Sequence, residues 1–343
     1  MVDLSREMAD VKSRVDRLIL DELLPKSSPI KEVDMLYKMM RDYPARPAKG
    51  LRPFVCITAC KAMGGSESDA LLTAACLEIF QHWILIHDDI EDESEMRRGQ
   101  PTLHRKYSEA LALNTGDALH ARMWEILARN RAKLGPEKTL QIISEFSRMV
   151  NQTTEGQHME LVWVTEKNWD LAEPDYVQMV MRKTSWYTVA SPCRLGAMVA
   201  GADQSDLENL LQFGLKLGVG FQIQDDALNL VGDRSKYGKE QSDDLLEGKR
   251  TLMLLRLIEV AKADEKRDVV SIMSKPRSAK TAEDVERVLA MMKRYDTIGY
   301  AQKRASELLN EALASLSKVK MKGDTASVQM LQSVARFAIE RQW

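Results

Sequence analysis

Apolar residues recur at helical spacing along almost the whole of this 343-residue chain, and no stretch shows the sustained alternation of a half-buried strand. In residues 4–24, Leu4, Met8, Val11, Val15, Leu18 and Leu23 form one broad apolar stripe. Aromatic residues are only 6% of the chain, while methionine, leucine and alanine are abundant, so helix formers outnumber strand formers. Further helices are expected near 54–63, 69–92, 104–111, 116–133, 137–156, 173–200, 205–231, 250–262, 282–294, 297–316 and 325–341. The proline-rich segment YPARPAKGLRP at 43–53 reads as an ordered turn leading into a helix, with Pro53 in its first turn. No polar linker and no internal repeat divides the sequence, which predicts a single all-α domain over residues 1–343.

The formal charge of −2 carries no nucleic-acid footprint and no polybasic membrane anchor. No run approaches eighteen consecutive apolar residues, and the N-terminus lacks the apolar core of a signal peptide. These features predict a cytoplasmic protein without a membrane span. Cys56, Cys60, Cys76 and Cys193 have no CxxC or histidine companions, so small buried thiols of a reduced protein are expected.

Two acidic clusters carry the chemistry. Asp88-Asp89-Ile90-Glu91-Asp92 and Asp225-Asp226-Ala227-Leu228-Asn229 both lie in apolar, helix-like stretches. Residues four apart stack on one helix face, so Asp88 with Asp92, and Asp225 with Asn229, each present a vertical pair of oxygens. Like charges so placed repel, and hard oxygen ligands favour Mg²⁺, which shares its shell with water and substrate phosphates. Two such stripes facing each other would hold a diphosphate through bridging metals. A merely solvated acidic patch is the bland alternative; it weakens because both clusters abut apolar runs.

Basic motifs accompany the acids. Arg97-Arg98-Gly99-Gln100-Pro101-Thr102 follows the first cluster, and Lys49-Gly50-Leu51-Arg52-Pro53 puts two cations at a helix start. Lys183-Thr184, Lys239 and Glu247-Gly248-Lys249-Arg250 add cations in the second half. No P-loop is present. The ordered set AKGLRP, HDDIEDESEMRRGQPTLH, GQHMEL, RKTSW, GFQIQDDALNLVGD and DDLLEGKRTL resembles the trans-isoprenyl diphosphate (polyprenyl) synthase family, and most closely its short-chain geranylgeranyl diphosphate synthases.

That resemblance implies an all-α helical bundle around a deep central cavity, a homodimer and about three Mg²⁺ ions. It implies that Asp88, Asp89, Asp92, Asp225 and Asp226 bind Mg²⁺. Arg97, Lys183, Thr184, Gln222, Lys239 and Lys249 would hold the allylic diphosphate (dimethylallyl, geranyl or farnesyl). Lys49, Arg52, Arg98 and Gln81 would hold isopentenyl diphosphate. Gln81 stands where the family usually has histidine, and an amide can also donate to a phosphate. Asn229 replaces the more common third aspartate and is not assigned as a ligand.

The implied reaction is loss of the allylic diphosphate, attack on the allylic cation by isopentenyl diphosphate, and loss of a proton, with water kept out. In the resembled family, bulk just upstream of the first cluster limits product length. Trp83 with the smaller Ile84 points to a C20 product, although Trp83 lies about 140° around the helix from Asp88 at 100° per residue and is also readable as a core tryptophan. Farnesyl and longer products, a terpene cyclase and a non-catalytic regulatory subunit are the competing readings. His82, His104, His120 and His158 have no metal-binding spacing and read as structural, and His87 as a packed neighbour of the ligands.

Overall fold

The structure is a computed structural model that describes residues 3–231 and 242–340. Those residues are almost entirely helical. In chain order the helices are α1 (Leu4–Leu18), α2 (Lys31–Asp42), α3 (Leu51–Ala62), α4 (Glu67–Glu91), α5 (Leu103–Lys106), α6 (Glu109–Ala128), α7 (Arg131–Leu134) and α8 (Pro136–Thr165). Then follow α9 (Glu173–Val180), α10 (Ser191–Ala200), α11 (Gln204–Val231), α12 (Asp243–Glu247), α13 (Leu252–Val260) and α14 (Ala263–Met273). The last three are α15 (Ala282–Arg294), α16 (Thr297–Leu316) and α17 (Thr325–Glu340). Wider π-helical turns extend α1 over Ile19–Leu23 and join α9 to α10 over Met181–Ala190. The strands among the described residues are a two-residue pair, β1 (Met96–Arg97) and β2 (Gln100–Pro101).

The chain resolves into two compact units. One comprises Met1–Arg148, Ser191–Leu211 and Lys318–Val334; the other comprises Met149–Ala190, Gln212–Ser317 and Ala335–Trp343. The core of the first is α4, which packs against α3, α6 and α10. It is buried without a break from Thr73 to Phe80, because neighbours cover it on several sides and no polar face is needed there. By length and composition α4 could cross a bilayer, yet 72% of its most apolar window is buried inside the protein, as in a core helix. The second unit is centred on α13, whose Leu252, Met253, Leu254, Leu255, Leu257 and Ile258 are all buried against α9, α14, α15 and α16. Burying such side chains stabilises by about 1.5–3 kcal/mol each before the entropy of ordering is subtracted.

The all-α expectation holds. Three helices were not anticipated: α2, α14 and the five-residue α12. α2 falls in a segment with little uninterrupted apolar character and buries only Met39 and Met40. α14 is short and charged in its first turn, burying Val269, Ile272 and Met273. α8 runs to Thr165 rather than stopping near 156. The cysteines are free and buried as expected. Burial raises all four thiols, and Cys60 is pushed up to about 12. A thiol that stays protonated is a poor nucleophile. Ellman's reagent at mildly alkaline pH is therefore expected to leave all four untouched in the native protein and to titrate all four after denaturation.

Candidate active site

In the first unit, the C-terminal turn of α4 presents the first acidic cluster. The Asp92 amide donates to the Asp88 carbonyl at 2.8 Å, so the two side chains sit one turn apart, both half-buried. Carboxylates at a helix C-terminus oppose the partial negative charge of the dipole, which adds to their demand for a cation. Asp89 is different. It has no exposure to water, and its Oδ1 accepts from Arg97 Nε at 2.8 Å and from Arg97 Nη2. Its Oδ2 accepts from the Tyr43 hydroxyl. Burial raises the Asp89 carboxyl, and Arg97 and Tyr43 oppose that rise. Burial and the neighbouring Asp89 carboxylate in turn push the Tyr43 phenol up, keeping it a proton donor. Arg97 also reaches Asp88 at 3.4 Å, so it is paired with the cluster it was expected to assist.

The Arg97-Arg98-Gly99-Gln100 segment is a tight hairpin. Met96 pairs with Pro101 and Arg97 with Gln100, leaving Arg98 and Gly99 as a two-residue loop. Both have positive φ, +53° and +75°, as the favoured hairpin turn requires. A non-glycine residue in that region costs on the order of 1–3 kcal/mol and is retained where its side chain is needed. Arg46 holds the hairpin from beneath. Its guanidinium is buried, donates to the carbonyls of Arg97 and Pro101 at 2.8 Å each, pairs with Asp42 and lies 4.4 Å from the Tyr43 ring centre. Tyr43 and Arg46 went unassigned in the sequence, although both lie in the proline-rich turn that it singled out.

Arg98 donates to the Tyr43 carbonyl at 3.3 Å. Burial lowers its guanidinium, the Glu78 carboxylate opposes this, and Arg97, Arg52 and Arg46 add to the lowering. Arg52 and Arg98 are thus near enough to repel, which suits a site for a multivalent anion. Lys49 is exposed at the same loop, and Gln81 is half-buried on α4. Glu78 and His82, one turn apart, are buried beside these cations, and neither His82 nitrogen has a hydrogen-bond partner among the described residues.

Trp83 packs on α6. Its ring stacks on His120 with centroids 3.8 Å apart at 12°, and Trp124 Nε1 donates to His120 Nε2 at 2.9 Å. Phe80 and His87 meet the same ring edge-on at 5.4 and 5.9 Å. Trp83 is therefore a locked element of the α4–α6 interface, and Ile84 beside it is half-buried.

In the second unit, α11 carries the second cluster. Asp226 is buried, and its Oδ2 accepts from the Tyr176 hydroxyl at 2.8 Å and its Oδ1 from Gln222 Nε2 at 2.7 Å. Thr184 Oγ1 donates to Gln222 Oε1 at 3.0 Å, so Thr184, Gln222 and Asp226 form one chain of bonds. Burial and the nearby Asp244 carboxylate push Asp226 well up, against the Gln222 and Tyr176 donors. Asp225 is half-buried beside it. Asn229 is occupied: its side-chain oxygen accepts the Asp244 amide at 3.3 Å and its carbonyl the Ser242 amide at 3.0 Å, so it anchors the start of α12.

Lys183 lies in the π-helical segment Met181–Ala190 and pairs with Glu160 of α8. α8 comes this close because of Gly156, where a Cβ would sit 2.1 Å from the Lys183 amide nitrogen. Lys249 follows the α12 turn and pairs with Glu247 at 2.6 Å. Lys239 lies outside the described residues.

Each unit thus repeats one device: a buried aspartate tied to a buried tyrosine, with a second, half-buried aspartate beside it. Among the described residues no three His, Cys, Asp or Glu side chains converge closely enough to hold a metal unaided. Mg²⁺ usually binds through one or two carboxylates and takes its other ligands from water and phosphate, so these donors fit it. The Tyr176 and Gln222 partners of Asp226 are neutral, leaving a charge for a cation to balance.

The polyprenyl synthetase family model matches residues 33–292, and the chain belongs to that family. A geranylgeranyl diphosphate synthase from Sulfolobus acidocaldarius is 32% identical over 310 residues, covering 90% of this chain and 92% of its own. The crystal structure of geranylgeranyl pyrophosphate synthetase from Pyrococcus horikoshii superposes with a TM-score of 0.86 at 30% identity, over 98% of both chains. A polyprenyl synthase from Caulobacter crescentus, solved with calcium and isoprenyl diphosphate, gives a TM-score of 0.85 at 27% identity, over 99% of this chain and 97% of its own.

Two outcomes test this geometry. Arg98→Asn should relieve the left-handed turn and raise the unfolding midpoint by about 2 °C. The second concerns acid stability. Burial, then Arg98, Lys12 and Arg52, hold the His82 imidazole well below its ordinary 6.5. The unfolded chain takes up that proton near 6.5 while the folded chain does not, so stability falls as pH drops below 6.5, by about 1.4 kcal/mol per pH unit for this group. His82→Gln should flatten that part of the stability–pH curve measured by urea unfolding.

Proposed function

We propose that this protein condenses isopentenyl diphosphate with an allylic diphosphate (dimethylallyl, geranyl or farnesyl) to make a short all-trans prenyl diphosphate, with geranylgeranyl diphosphate (C20) as its product. The observation that carries this reading is the doubled aspartate–tyrosine device, with Arg97 on the first of the pair, in a chain whose residues 33–292 match the family. The metal-binding set is Asp88, Asp89, Asp92, Asp225 and Asp226, and the metal is Mg²⁺, about three ions by family resemblance. When bound, Mg²⁺ supplies Lewis-acid stabilisation of the departing diphosphate.

The chain's own residues do the rest. Lys183, Thr184, Gln222, Arg97, Lys239 and Lys249 hold the allylic diphosphate, their charges and donors matching the negative charge that grows on it as it leaves. Lys49, Arg52, Arg98 and Gln81 hold isopentenyl diphosphate so that its double bond lies alongside the forming cation. Lys183 and Arg97 are paired with Glu160, Asp88 and Asp89 in this structure, so a diphosphate must draw them from those carboxylates or share them. We place the protein in the cytoplasm, with residues 1–343 acting as one catalytic domain, and take it as a homodimer on the strength of the family resemblance.

Trp83, locked on His120, is the stop for the growing chain in this proposal, with Ile84 as the smaller neighbour. The test is mass spectrometry of products from purified protein, Mg²⁺, isopentenyl diphosphate and farnesyl diphosphate. A single C20 product that disappears with EDTA is expected, and Trp83→Ala should shift it to C25 or longer. A longer product from the unaltered protein would remove Trp83 as the stop. The absence of condensation with any allylic starter would leave a non-catalytic subunit.

A further inference from the structure

The turn at Glu247-Gly248-Lys249 is held by two buried cations that the proposed reaction does not use. Gly248 has φ of +80° and ends α12. Lys280 Nζ donates to the Leu246 carbonyl at 2.7 Å, and Arg250 Nη1 donates to the Gly248 carbonyl. Arg250 Nε donates to the Asn168 carbonyl at 3.1 Å, and its guanidinium stacks 4.0 Å from the Trp169 ring centre. Trp169 is itself fixed by a 2.8 Å bond from its Nε1 to Ser274. Arg250 is 1% exposed and Lys280 9%.

Among the described residues neither cation has a carboxylate partner, whereas Arg277 pairs with Asp243 and Lys249 with Glu247. Burying two like charges on carbonyl acceptors is costly, and a neutral donor would hold a turn at lower cost. Burial, then Arg250 and Arg277, lower the Lys280 ammonium to about 8, against the Glu247 and Asp284 carboxylates. An arrangement kept at that cost points to a role for the charge as well as the bond.

We propose that Lys280 and Arg250 are positioning residues that lock the left-handed Gly248 turn from below, so that Lys249 is presented in one place to the allylic diphosphate. Their charges add a positive field at that spot, which Glu247, Asp284 and Glu160 offset only in part. Neither residue needs to touch the substrate. This rests on the reading of Lys249 given above.

The experiment is steady-state kinetics with each substrate varied in turn, for Lys280→Met, Lys280→Arg, Lys249→Ala and the double variant Lys249→Ala/Lys280→Met. Lys280→Met should raise KM for the allylic diphosphate about tenfold, with kcat and KM for isopentenyl diphosphate within about twofold of the unaltered protein. Lys280→Arg should restore most of the loss, and the double variant should match Lys249→Ala alone. Equal shifts in both KM values, a fall in kcat alone, or a lower melting temperature with unchanged KM would show a purely structural lysine and overturn the inference. If Lys249→Ala leaves the allylic KM unchanged, the reading of Lys249 itself fails, which is a separate result. Should Lys280→Met not fold, Lys280→Gln keeps a donor, drops the charge and is judged by the same criteria.

Discussion

A carboxylate without water must find donors, and much of the first unit's geometry follows from how Asp89 finds them. Its oxygens are met by Tyr43 from the turn after α2 and by Arg97 from the hairpin. That requirement fixes the turn, and the turn places Arg46, whose guanidinium then holds the hairpin carbonyls. Remove Tyr43, and a buried acid loses a donor while the hairpin loses its footing, a loss of the kind that costs about 1–3 kcal/mol per unsatisfied group. Asp226 makes the same demand in the second unit and is answered by Tyr176 and Gln222.

The pairing separates the aspartates into two kinds. Asp89 and Asp226 are oriented by neighbours and shielded from water, whereas Asp88, Asp92 and Asp225 are half-buried. The rigid member of each cluster sets where the helix face points, and the more open member meets what arrives. Arg97 and Lys183 are likewise held ready by carboxylates rather than left to wander, which lowers the entropy lost when an anion takes them over.

Most of this was legible in the sequence wherever spacing along one helix decides it. Asp88 with Asp92, and Gln222 with Asp226, lie one turn apart, and the helical period alone puts them on one face. Contacts between distant segments were not legible. Tyr43 and Asp89 are 46 residues apart and Tyr176 and Asp226 50, and nothing local marks either tyrosine as a partner. Glu160 stood inside a motif already noticed, yet its role depends on Gly156 letting two helices touch. Asn229 was left out of the ligand set, and what its oxygen does, accepting a backbone amide, was not legible. α2 escaped notice because it buries so little, and a helix with two core methionines leaves a faint pattern.

The π-helical segment from Met181 to Ala190 carries Lys183 and Thr184 in turns wider than those of an ordinary helix. Such a segment is tuned by chain length as well as by side-chain identity. Taking out one residue would let it tighten into the common form, which would change where Lys183 and Thr184 fall around the helix. Its length is thus a constraint in its own right, beside the buried side chains and the two polar residues that it carries.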